Sequence, residues 1–205
     1  MKVILFLLLT FIFVYSSNYD DGLRAYKNKE YKKAIEFFKK SSQENNSQAK
    51  YNLYIIYANG DGVERNSKES MYWLKEASKD GNSYAIMSLA NMYMKGFGVK
   101  KDYKKAIELF KKEADKNNEQ ALYNLGFIYT VGMGTKVDNI TGIEYYKKAA
   151  DLGSINAQIN LGYIYISAQG VQKDMKKAAY YIKKAKAKGS IKANALWKEF
   201  ELEKF

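Results

Sequence analysis

Ala49, Ala85, Ala121, Ala157 and Ala193 stand 36 residues apart with no slippage. Leu53, Leu89, Leu125 and Leu161 keep the same interval, and so do Tyr57, Tyr93, Tyr129 and Tyr165. Each set sits in a recurring stretch typified by residues 121–134, ALYNLGFIYTVGMG. One such unit cannot bury its apolar face alone. Stacked neighbours can, so a fixed period of this length means a solenoid.

The spacing inside each unit predicts helices. Ala121, Leu125, Ile128 and Tyr129 fall at i, i+4, i+7 and i+8, the pattern of a helix burying one stripe. Ile143, Tyr146, Ala149 and Ala150 repeat that pattern in a second helix. Two apolar columns run through the second helices: Phe37, Trp73, Leu109, Tyr145 and Tyr181, then Phe38, Leu74, Phe110, Tyr146 and Ile182. A third column is small (Ala34, Ser70, Ala106, Gly142, Ala178), which lets adjacent helices approach closely. Glycine pairs follow the first helices at Gly60/Gly62, Gly96/Gly98 and Gly132/Gly134, where positive φ ends a helix without a Cβ clash. In the fourth unit Ala168 replaces the first glycine and Gly170 remains. Gly81, Gly153 and Gly189 end the second helices, with Asn45 and Asn117 in the same column. Asparagine is the next-best residue for a left-handed cap.

The ends depart from this pattern. Residues 3–15 form an apolar run after Met1-Lys2 and precede Ser16-Ser17-Asn18. One charge, a short apolar core and small residues beyond it read as a secretory signal cut after Ser16. The run is short for a membrane span, which needs roughly 20 apolar residues. Residues 17–46 contain Gly22, Tyr26, Tyr31, Ala34, Phe37 and Phe38 at helical spacing around a break at residues 27–30. Helices are expected at about residues 19–27 and 31–42. Residues 191–205 read as a solitary capping helix, with Ala193 and Trp197 continuing the alanine and leucine columns.

Composition excludes much chemistry. The chain has no cysteine and no histidine, which removes disulfides, Cys/His zinc sites, cysteine nucleophiles and histidine triads. No cofactor, metal site or catalytic residue is expected. The net charge is +12, yet Arg24 and Arg65 are the only arginines. Arginine suits bidentate phosphate contacts, so its scarcity argues against a nucleic-acid partner. The Gly-x-Gly loops lack the Lys-Ser/Thr of a phosphate loop and recur as structural turns. Asp20, Asp21, Asp61, Asp102 and Asp115 sit in loops or near helix ends and do not recur at a site-building spacing.

The best-kept unit, residues 157–189 (AQINLGYIYISAQGVQKDMKKAAYYIKKAKAKG), resembles the Sel-one-like repeat, a relative of the tetratricopeptide repeat. Residues 17–46 look like a plainer tetratricopeptide repeat, and residues 47–190 like four Sel-one-like units. The resemblance implies an all-α fold, a right-handed α-α superhelix of antiparallel helix pairs. It implies a scaffold or adaptor, secreted or periplasmic, that binds a protein or peptide in a concave groove. Groove positions in the related repeat flank the leucine column by two residues. Here they are Tyr51, Met87, Tyr123 and Ile159, then Ile55, Asn91, Phe127 and Tyr163, with Asn52, Ser88, Asn124 and Asn160 between them. Stacking of the first helices would join these into one groove. The competing reading of the same residues is packing between neighbouring helices. A second implied reading is a β-lactam-binding or β-lactamase-like hydrolase, ascribed to bacterial members with a disulfide in each repeat, which this chain does not share. A third rests on the lysine pairs Lys39-Lys40, Lys111-Lys112, Lys147-Lys148 and Lys183-Lys184, which the resemblance puts on the convex face. They suit a basic envelope protein binding anionic lipid or acidic polymer. A membrane would then be met only through that weak contact or an uncleaved signal.

Overall fold

A computed structural model describes residues 18–205, and the signal peptide expected over residues 1–16 lies outside them. The described residues form eleven α-helices, one short 3-10 helix and no strand. They fall into two compact units divided after Lys100. No described helix is long and apolar enough to cross a membrane.

The first unit holds α1 (residues 18–27), α2 (Tyr31–Gln43), α3 (Ser47–Asn59), α4 (Ser67–Lys79) and α5 (Ser83–Lys95). Its core is built from the expected columns: Ala34, Phe38, Ala49, Leu53, Leu74 and Ala85 are all buried. The second unit holds α6 (Tyr103–Ala114), α7 (Glu119–Val131), α8 (Asn139–Asp151), α9 (Ile155–Ser167), α10 (Met175–Ala187) and α11 (Ile191–Glu199). Phe110, Leu125, Tyr146, Leu161 and Ile182 fill its interior. The small column works as expected there. A β-carbon on Gly142 would lie 2.5 Å from the Thr130 methyl, so α8 sits directly on α7.

Two columns of N-caps start these helices. Asn46, Asn82 and Asn118 accept the N–H groups of Ala49, Ala85 and Ala121, each at 3.0 Å. Asn66, Asp102, Asp138 and Asp174 do the same for the second helices. A cap of this kind contributes about 1 kcal/mol. The backbone amides at these ends hold the Asp102, Asp138 and Asp174 carboxyls below the usual carboxylate range.

The loops separate two demands that one glycine motif hides. Ala168 adopts φ 57 in the left-handed region, as the glycines at 60, 96 and 132 do. That position requires only a left-handed cap. At Gly170 a β-carbon would lie 2.2 Å from Cβ of Asn139, so backbone sign and space both demand glycine.

The carboxyl end differs from the expected single helix. Helix α11 stops at Glu199, Glu201 turns left-handed at φ 47, and Leu202–Lys204 forms a 3-10 turn. Leu202 is thereby fully buried, while Trp197 stays partly exposed beneath the Lys186 ammonium, 4.8 Å from the ring centre. The buried residues of α11 are Ala193, in the alanine column as expected, and Leu196, one place before the leucine column.

Candidate functional site

In the second unit Gly126 clears space that Tyr146 fills. A β-carbon on Gly126 would stand 2.5 Å from the Tyr146 ring, so α8 presses this tyrosine against α7. The ring is buried, and burial pushes its hydroxyl above the ordinary tyrosine range. The hydroxyl reaches α9, where it accepts Asn160 Nδ2 at 3.0 Å. Around this bond opens a pocket of about 170 Å³ lined by Phe127, Thr130, Val131, Tyr146, Asn160, Tyr163, Ile164 and Gln169. Phe127 is 38% exposed and Tyr163 51%, so two aromatic edges meet solvent at its rim. Among the described residues, Asn160 Oδ1 and the Gln169 amide have no internal partner. The pocket thus offers apolar walls and polar groups suited to a peptide backbone.

Three expected groove residues meet there: Phe127, Asn160 and Tyr163. Tyr123 lies half-buried with its ring 5.7 Å from Tyr146. Asn124 is buried, and its Oδ1 accepts Gln120 Nε2 at 3.2 Å. Ile159 is buried as well. The expected groove positions do not include Thr130, Val131, Tyr146, Ile164 and Gln169, which also line the pocket. Thr130, Val131 and Ile164 lie on first helices away from the flanks of the leucine column, Tyr146 belongs to a second helix and Gln169 to a loop, whereas the sequence pattern follows those flanks.

In the first unit Asn52 and Ile55 line a separate pocket of about 220 Å³ with Leu23, Tyr26 and Phe38. Asn52 Nδ2 lies 3.5 Å from the Tyr19 hydroxyl. Tyr51 stacks on exposed Tyr84 at 5.8 Å. Asn91 donates to the Met87 carbonyl of its own helix at 2.9 Å, so that amide is tied to α5. Both residues are half-buried.

The carboxylates have structural duties. Asp61 accepts the Tyr26 hydroxyl at 2.7 Å, Asp102 caps α6, Asp115 ends it, and Asp21 pairs with Arg24 at 3.4 Å. No group of three or more acidic, His or Cys side chains that could hold a metal ion exists among the described residues. The lysines at 39, 75, 111, 147 and 183 form an exposed 36-residue column that includes Lys75, which has no lysine beside it.

A family profile described as Sel1 repeat matches residues 15–46, 47–82, 83–118, 119–154 and 155–190. The chain is a Sel1 repeat protein. The matched segments include residues 15–46, the stretch whose residues look like a plainer tetratricopeptide repeat. A Sel1 repeat protein from Oxalobacter formigenes is 31% identical, with a TM-score of 0.74 over 87% of this chain and 75% of its own. A protective antigen of uropathogenic Escherichia coli with the same repeat fold is 30% identical, with a TM-score of 0.73 over 78% of this chain. The present chain spans about a third (34%) of that antigen's length. A Klebsiella pneumoniae Sel1 repeat protein, 17% identical with a TM-score of 0.51, shares the fold. No curated protein matches the sequence. Sel1 repeat proteins are generally scaffolds for protein–protein interaction.

Proposed function

We propose that this Sel1 repeat protein is an exported, non-catalytic scaffold that binds an extended protein segment on the faces of its first helices. One observation carries the reading. The pocket between α7 and α9 places exposed Phe127 and Tyr163 beside Asn160 and Gln169 amide groups that are open to a ligand. Aromatic side chains supply contact area at low entropy cost, and amides pair with a peptide backbone. A pocket of about 170 Å³ suits one apolar side chain of such a segment rather than a whole cofactor. The absence of cysteine from the sequence separates this chain from the disulfide-bearing members to which β-lactam hydrolysis is ascribed. The charged start and apolar run at residues 3–15 support export to the periplasm or beyond.

The test is selection of a peptide-display library on the full chain, followed by titration of the selected peptides. Phe127→Ala with Tyr163→Ala should weaken binding by about 2 kcal/mol or more. Lys111→Glu with Lys147→Glu should weaken it less, and only at low salt. If the lysine variant loses binding while the aromatic variant keeps it, the groove reading is wrong. Mass spectrometry of the native protein should find the first 16 residues or so removed. Intact Met1 on protein recovered from the envelope would mean a retained anchor.

A further inference from the structure

Residues 175–198 contain eight lysines and not one aspartate or glutamate. This span covers α10 and nearly all of α11. Seven of the eight are exposed, and among the described residues only Lys177 makes an ion pair, with Asp174 at 3.0 Å. The other second helices of this unit look different. On the solvent stripe of α6, Glu108 stands between Lys104 and Lys111, and Glu144 occupies the same place on α8. A mixed stripe of that kind is an ordinary solvated face. On α10 the corresponding residue is Tyr180, 55% exposed, set between Lys176 and Lys183 opposite buried Ala178 and Ile182. At the far end of α10, Ile191, which is 87% exposed, follows Lys186 and Lys188 in the chain and precedes exposed Lys192, while Lys186 lies over Trp197 and Lys188 donates to the Gly153 carbonyl.

We propose that α10 and the start of α11 form a docking face for an anionic lipid surface. Charge complementarity gives the sign of the partner. Residue type gives its kind. Lysine is a strongly hydrated point charge without the planar fork that fixes a carboxylate in place. A lysine-only face therefore suits a fluid array of anionic headgroups better than one folded acidic partner. Clusters of 4–8 basic residues act this way at membrane surfaces, each adding about fivefold in affinity. Tyr180 and Ile191 supply what a purely electrostatic face would not need. A tyrosine settles at headgroup level, and an aliphatic side chain enters the acyl boundary. A purely acidic polymer such as poly-glutamate carries no apolar side chain to set against Ile191.

The experiment is co-sedimentation of the full chain with phosphatidylglycerol–phosphatidylcholine vesicles and with phosphatidylcholine vesicles. Among the described residues, Lys176, Lys183 and Lys192 make no ion pair or side-chain hydrogen bond, so their joint change to glutamine should leave the circular dichroism melt unaltered. Neutral vesicles set the baseline that apolar insertion alone, by residues 3–15 and by Ile191, would give. The Lys176→Gln/Lys183→Gln/Lys192→Gln protein should lose about tenfold or more on anionic vesicles and nothing on neutral ones. Salt at about 1 M, where the Debye length falls to about 3 Å, should erase the difference. Ile191→Ser should weaken vesicle binding yet leave binding to soluble poly-glutamate unchanged. Equal binding of the triple variant and the unaltered chain to anionic vesicles overturns the proposal. So does an Ile191→Ser protein with unaltered vesicle binding, combined with a triple variant that loses poly-glutamate. That outcome would assign the face to an acidic polypeptide.

Discussion

Gly134 lies so close to Tyr103 that a β-carbon on the glycine would stand 2.2 Å from the tyrosine's own Cβ. Gly62 and Tyr31 repeat the relationship at 2.4 Å in the first unit. The loop after a first helix thus packs onto the opening residue of the preceding second helix. Gly134→Ala should cost about 1–3 kcal/mol, because it adds a clash to a left-handed backbone at φ 71. Ala168→Gly should do the reverse and stabilise by up to about 1 kcal/mol, since only the backbone sign matters there. Denaturant unfolding of the two variants checks the pair. Equal and small effects would mean that the loop does not hold the repeats together.

Leu125 is wholly buried in the leucine column. Leu125→Ala should cost about 2–5 kcal/mol from lost burial and the cavity left behind. Each repeat touches only its neighbours, so hydrogen exchange should show α7 and α8 loosening before α11. A loss below about 0.5 kcal/mol would place this position among surface residues.

Asn118 caps α7 through the Ala121 amide at 3.0 Å. Asn118→Ala should cost about 1 kcal/mol, and Asn118→Asp or Asn118→Ser should recover most of it. Thermal unfolding of the three variants measures this. Failure of aspartate and serine to rescue would show that the side chain acts through something other than the cap.

Tyr26 is pushed up to about 12, first by its hydrogen bond to Asp61 and then by burial. Tyr181 also rises to about 12, through burial. Unfolded tyrosines titrate near about 10. The folded state therefore holds these protons more tightly. Their contribution is fully present below pH about 10 and is lost as pH climbs from about 10 through about 12. The unfolding midpoint should fall across that window, and Tyr26→Phe should flatten part of the slope. An identical slope in Tyr26→Phe would remove Tyr26 from the account.

Periodicity alone carried the fold of this chain. The alanine and leucine columns, the glycine loops and the Asn-for-Gly exchange at 45 and 117 each reflect a local demand repeated every 36 residues. A demand that recurs in every unit leaves a column in the sequence. What tertiary structure decided has no column. Leu202 is buried because Glu201 turns left-handed at the end of a capping helix, a single event with nothing to repeat it. Lys50 is buried because it pairs with Asp80 across two helices, 30 residues away, although a lysine reads as solvent-facing. The candidate site was half legible for the same reason. Phe127, Asn160 and Tyr163 follow the first-helix pattern, but the Tyr146 hydroxyl reaches Asn160 only because Gly126 lets two helices close on each other. Spacing along a helix states which residues share a face, and only packing between helices states which faces open to a ligand.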